Sequence, residues 1–74
     1  MTLDQLAMGK QAQVLHLQAE HVMRERLQDL GVMPGARITV WMRSPLGDPT
    51  AFLVSGAVIA LRSFDAAAVE VLPL

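Results

Sequence analysis

The string RERLQDLGVMPG, Arg24 to Gly35, restricts the fold of this chain more than any other stretch. Its apolar positions keep a helical period up to Leu30, and Gly31 supplies the left-handed backbone that ends a helix. Pro34-Gly35 then fits the two central positions of a type II turn, because glycine accepts φ > 0 at the second. A helix must stop and a strand must start within a few residues. Further on, PLGDP at Pro45–Pro49 marks a tight connection out of that strand. Neither string holds a set of catalytic side chains, so the signature is architectural.

From Glu20 to Leu30, Met23, Leu27 and Leu30 stand at i, i+4 and i+7, and Val22 widens the stripe. Arg24, Glu25, Gln28 and Asp29 fall on the wet side, with Glu20 and Arg24 spaced as an i, i+4 ion pair. The helix start lacks a good N-cap, since Ala19 and Glu20 stand where Ser, Thr, Asp or Asn is preferred. Upstream, Leu3, Leu6 and Met8 suit a short helical turn with an apolar edge, broken at Gly9. Gln11–Gln18 begins as an alternation with Ala12 and Val14 inward, and the adjacent Leu15 and Leu17 suggest a bulge or a strand wrapped on both sides.

After the turn, Ala36–Arg43 alternates. Ile38, Val40 and Met42 share one face, and Arg37, Thr39, Trp41 and Arg43 share the other. Ala51–Ser55 and Val58–Arg62 form a hairpin about Gly56-Ala57, and Ser63–Ala66 is a single helical turn with Ser63 as its cap. Val69 and Val71 belong to a closing strand. The fold class that follows is mainly β: a small, partly open SH3-like barrel of about five strands, with one α-helix inserted after the first strand.

All 74 residues are needed for a single domain of this size, residues 1–74, which buries only about 60% of its unfolded surface. With no cysteine, neither a disulfide nor a thiolate metal site is available, and a reducing, cytoplasmic location is expected. Hydrophobic residues make up 53% of the chain, more than so small a core can hide, which points to a protein partner or self-association. The longest charge-free stretch, Pro49–Leu61, is broken by Thr50, Ser55 and Gly56, so no membrane insertion is expected. The N-terminus, with Asp4 ahead of Lys10 and no apolar run, does not read as a signal peptide. A net charge of −1 and three aromatics without an interleaved basic run argue against nucleic acid.

The order of RERLQDLGVMPG, PLGDP, the ALR of Ala60–Arg62 and the VEV of Val69–Val71 resembles the FeoA family, ferrous iron transport protein A, over nearly the whole chain. The same module is found at the C-terminus of iron-dependent repressors of the DtxR type, whose DNA-binding and dimerisation segments this chain lacks. The resemblance implies a cytoplasmic, non-enzymatic accessory that meets the cytosolic portion of a FeoB-like membrane transporter and biases its nucleotide cycle or transport state. An iron-unrelated SH3-like adaptor, or a self-assembling interaction module, is the alternative. A polyproline groove needs aromatics, however, and this chain has one Trp and no Tyr.

Candidate docking residues are Arg26 and Arg62, which match positions of the family pattern, together with Trp41 and the PLGDP residues Leu46 and Asp48 at an exposed loop tip. Each also has a plain structural reading. Trp41 can lie over an outer strand or the helix, Arg62 can pair with Asp65 or a helix carboxylate, and PLGDP can be turn chemistry alone. Leu27, Leu30, Gly31, Pro34, Gly35, Gly47, Pro49 and Leu61 are the structural signature of the resemblance. His16, His21 and Glu20 are the only metal-ligand grouping, a thin one where three or four ligands are required. No cofactor is implied, and no nucleophile-base arrangement or phosphate-cradling glycine loop supports an enzyme.

Overall fold

The computed structural model describes residues 1–74. A 3₁₀ turn at Leu3–Gln5 precedes β1 (Gln11–Leu17), α1 (His21–Asp29), β2 (Arg37–Arg43), β3 (Thr50–Val54), β4 (Ala57–Leu61), α2 (Ser63–Ala66) and β5 (Val69–Pro73). The strands form one antiparallel sheet in the order β4-β3-β2-β1-β5, curled but not closed, since β4 and β5 remain its two edges. The core is a cluster of 15 buried apolar residues to which every element contributes. Leu3 and Leu6 enter it from the N-terminal turn, whereas Met8, expected beside them, is exposed.

The helix-to-strand passage forms as its residues dictate. Gly31 has φ +94°. Its N–H donates to the Gln28 carbonyl at 2.9 Å while the Val32 N–H donates to the Leu27 carbonyl at 2.9 Å, which is the paired closure of a Schellman motif. Leu27 and Val32, the two apolar residues that this motif brings together, are both fully buried. Ala36 then donates to the Met33 carbonyl at 3.0 Å across Pro34-Gly35, closing the type II turn. The Gly35 N–H reaches the Val14 carbonyl at 2.8 Å and ties the turn to β1.

At the helix start, Glu20 makes no capping bond with its side chain. The expected Glu20–Arg24 pair does not form. Arg24 instead donates to the Ala19 carbonyl at 2.9 Å, and the i, i+4 pair on this helix is His21–Glu25, also at 2.9 Å. The guanidinium thus takes a backbone acceptor just ahead of the helix in place of the Glu20 carboxylate. In β1 the irregularity expected near Leu15 is present as a register shift between Val14 and His16 against β5.

β2 departs from a simple alternation. Val40 pairs with Phe52 but Met42 pairs with Ala51, so Trp41 is an extra residue on this strand. Beyond it the faces exchange. Met42 joins Ala51 and Ala60 on the outer face and is 60% exposed, while Arg43 turns inward beside buried Thr50 and Leu61. There the guanidinium donates to the Leu6 carbonyl at 2.7 Å and to Thr50 Oγ1 at 3.4 Å. Both side chains are thus reversed from the strict-alternation expectation.

The β3–β4 hairpin turns at Ser55-Gly56, one residue earlier than the glycine alone suggests. Both residues have positive φ, 50° and 81°, as a type I′ turn requires. Ser63 is the first residue of α2 and does not cap it with its side chain; Arg62 occupies the N-cap position.

Candidate docking surface

Helix α1 turns Leu27 fully into the core and Met23 partly, but Val22, expected to widen that apolar stripe, is 78% exposed. Val22 and Arg26 are four positions apart on α1, so both stand on the flank of the helix that faces α2. On α2, Ala66 enters the core and Phe64 is 77% exposed. Val22, Met23 and Phe64, with Ala19 and Ala67, line an open cleft of about 770 Å³ between the two helices. Large apolar side chains left this open, around a concave site, are the usual mark of a protein-binding surface.

Arg26 and Asp65 also line this cleft, joined by an ion pair at 2.8 Å. The Asp65 side chain is 14% exposed and that of Arg26 57%, so the carboxylate is held in place while part of the guanidinium stays available to a partner. The same two residues line a second, smaller hollow of about 470 Å³ with Leu30, Pro49, Ala60 and Arg62. The ion pair therefore stands between two adjoining depressions. Arg62, expected to pair with Asp65 or a helix carboxylate, does neither: Arg26 takes Asp65, and Arg62 remains exposed as a free cation at the rim.

The other candidate residues are not gathered here. Leu46 is at a loop tip and 94% exposed, in a turn closed by the Gly47 N–H donating to the Ser44 carbonyl at 2.8 Å. Asp48 is not at the tip. Half-buried, it folds back so that its carboxylate accepts the Ser63 N–H at 2.8 Å and lies 3.5 Å from the Ser63 hydroxyl. This loop residue thereby supplies the cap that α2 lacks in its own sequence. Trp41, 53% exposed, marks the bulge in β2, on the sheet rather than between the helices.

His16, His21 and Glu20 do not converge. His21 pairs with Glu25, His16 lies on β1 opposite Glu70, and no three His, Asp or Glu side chains group in a way that can hold a metal ion. No helix is long and apolar enough to cross a membrane. The apolar cleft between α1 and α2, with Val22 and Phe64 as its walls, was missed from the sequence. The only signal for it was an apolar residue, Val22, placed one step off the buried stripe.

A curled five-stranded antiparallel sheet with one helix after its first strand defines a small SH3-like domain, here with an open apolar cleft between its helices. The FeoA domain family matches residues 1–73, and the chain belongs to that family. An Fe(2+) transport protein A/Fe(2+) transporter FeoB fusion protein of Porphyromonas gingivalis is 35% identical over 71 residues, covering 96% of this chain and 8% of the fusion. This chain thus spans a small part of that relative. The solution structure of a FeoA protein from Chlorobium tepidum matches with a TM-score of 0.93 at 36% identity, covering all of this chain and 70% of that one. A Stenotrophomonas maltophilia FeoA, described as a procaryotic SH3 domain protein complexed with zinc, matches at 0.84 and 31% identity, over 96% of this chain and 88% of its own. A manganese-dependent transcriptional repressor, at 24% identity, shares the fold alone: its TM-score is 0.90 over all of this chain and 36% of the repressor.

Proposed function

We propose that this domain is a non-enzymatic, cytoplasmic accessory of ferrous iron uptake that docks through the α1–α2 cleft onto the cytosolic portion of a FeoB-like transporter. The observation that carries the reading is the relative in which a FeoA domain and FeoB are parts of one polypeptide. Joining two domains in one chain makes sense where they work in contact, since the link raises their effective concentration. The cleft suits such a partner. Val22, Met23 and Phe64 offer desolvation area, and the Arg26–Asp65 pair with the free Arg62 supplies a polar rim that fixes orientation.

Docking alone changes nothing in the transporter; the domain must bind one of its states more tightly than another. Iron is cargo for the transporter in this scheme, and the domain acts on the protein that moves it. Titration of the isotopically labelled domain with the cytosolic portion of the cognate transporter tests the reading. Shifts clustered at Val22, Arg26, Arg62 and Phe64, with an affinity that differs between nucleotide states, are the expected result. Absence of binding in every nucleotide state overturns it.

A further inference from the structure

The sheet's two edges are finished differently. Along β5 the outer side is covered by the N-terminal segment: Thr2 bridges Glu70, and the Val71 N–H donates to the Met1 carbonyl at 2.9 Å. That strand also carries Glu70 and Pro73, both of which discourage further pairing. Strand β4, Ala57–Leu61, has no charge, no proline and no covering segment. The type I′ turn makes Val54–Ala57 a mutually hydrogen-bonded pair, so by alternation Ile59 and Leu61 also bond to β3. Val58 and Ala60 therefore turn their N–H and C=O groups to the open side, where no other part of the chain meets them.

We infer that this edge pairs with the same edge of a second copy of the chain, antiparallel about a two-fold axis at Ile59. The sequence AVIAL is complementary to its own reverse. Val58 of each copy falls opposite Ala60 of the other, Ala57 opposite Leu61, and Ile59 opposite Ile59, so a large side chain meets a small one except on the axis. The two Val58–Ala60 pairs exchange both of their hydrogen bonds, satisfying the groups that the monomer leaves open. On the axis, half-buried Ile59, which already packs on the core cluster, gains cover from its counterpart. Charge does not oppose this register, because Arg62 falls opposite Gly56 and never opposite another Arg62. A foreign peptide can also add to a bare edge, but the large-to-small match and the neutral flanks favour the chain's own strand.

Sedimentation equilibrium of the full chain from micromolar to millimolar concentration, with amide exchange measured by NMR at both extremes, tests the pairing. The expected result is a concentration-dependent dimer in which the Val58 and Ala60 amides exchange at least tenfold more slowly than in the dilute monomer. Ala60→Pro removes an N–H that has no intrachain partner, so it leaves the monomer folded and weakens dimerisation at least tenfold. Should that variant fail to fold, Val58→Lys, an exposed substitution that places a charge at the new seam, gives the same reading. A chain that stays monomeric at millimolar concentration overturns the inference. So does a dimer in which Val58 and Ala60 exchange freely, or one that both variants leave intact. Protection of these two amides only on adding the transporter's cytosolic portion also overturns it, in favour of a foreign strand.

Discussion

The Asp48 carboxylate accepts the backbone N–H of Ser63 at 2.8 Å, fastening the PLGDP loop to the first residue of α2. Because α2 has no side-chain cap of its own, Asp48→Ala removes the only acceptor at its start. A loss of about 1 kcal/mol is expected in urea unfolding, the usual cost of a missing N-cap. Asp48→Asn, which keeps a side-chain oxygen, loses less. An Asp48→Ala variant as stable as the parent would show that the bond contributes nothing.

Arg26 and Asp65 differ in exposure, and that asymmetry predicts the order of their single substitutions. Arg26→Ala leaves a largely covered carboxylate without its cation, whereas Asp65→Ala leaves a guanidinium still reached by water. Arg26→Ala is therefore the more destabilising of the two. A double-mutant cycle is expected to give a coupling of about 0.5 kcal/mol, at the lower part of the range for pairs with an exposed partner. Thermal or urea unfolding of the four proteins measures it.

Gly31 and Gly35 have nearly the same backbone, φ +94° and +91°, but different surroundings. A Cβ at Gly31 would sit 3.3 Å from Val54 Cγ1, and one at Gly35 would meet nothing within 4 Å. Gly35→Ala is expected to cost roughly 1–2 kcal/mol for the left-handed backbone alone. Gly31→Ala carries the same penalty plus the crowding of a buried valine in a close-packed core. Denaturation of both variants should rank Gly31→Ala as the less stable, and the opposite ranking would place the strain elsewhere.

Val22 and Phe64 contribute little to folding and much to the proposed docking. Val22→Ser and Phe64→Ser should each change stability by less than about 0.5 kcal/mol, as exposed substitutions do. Either one should weaken binding to the transporter's cytosolic portion by about tenfold, equivalent to about 1.4 kcal/mol. Calorimetry on the two variants, with unfolding curves as the control, separates the effects. Unchanged affinity for both would remove the cleft from the interface.

Local chemistry was legible in the sequence, and contacts between distant segments were not. Gly31, Pro34 and Gly35 announce a helix stop and a type II turn because their backbone requirements are met by neighbouring residues alone. The stripe of Met23 and Leu27 and the alternation through Val40 are equally local. By contrast, the bulge at Trp41 exists only relative to β3, so Met42 and Arg43 could not be assigned their faces from β2 by itself. The partners of Asp48 and Asp65 are far away in the chain, and one carboxylate gives no sign of which N–H or guanidinium it will meet. The cleft has the same origin: Val22 and Phe64 become a surface only when α1 and α2 are set side by side.

Trp41 also acts as a change of parity. Upstream of it an even count along β2 points into the core; downstream the same count points out, and Arg43 becomes an anchor reaching the Leu6 carbonyl. Losing this one residue would restore a regular ladder with Met42 still outward and Arg43 still inward, because the bulge puts Trp41 and Met42 on the same side. A relative that lacks the extra position, laid against this chain with no gap at Trp41, would match the anchoring arginine to a water-facing side chain. In such a short strand, one residue of length then matters more than the identity of the residue that supplies it.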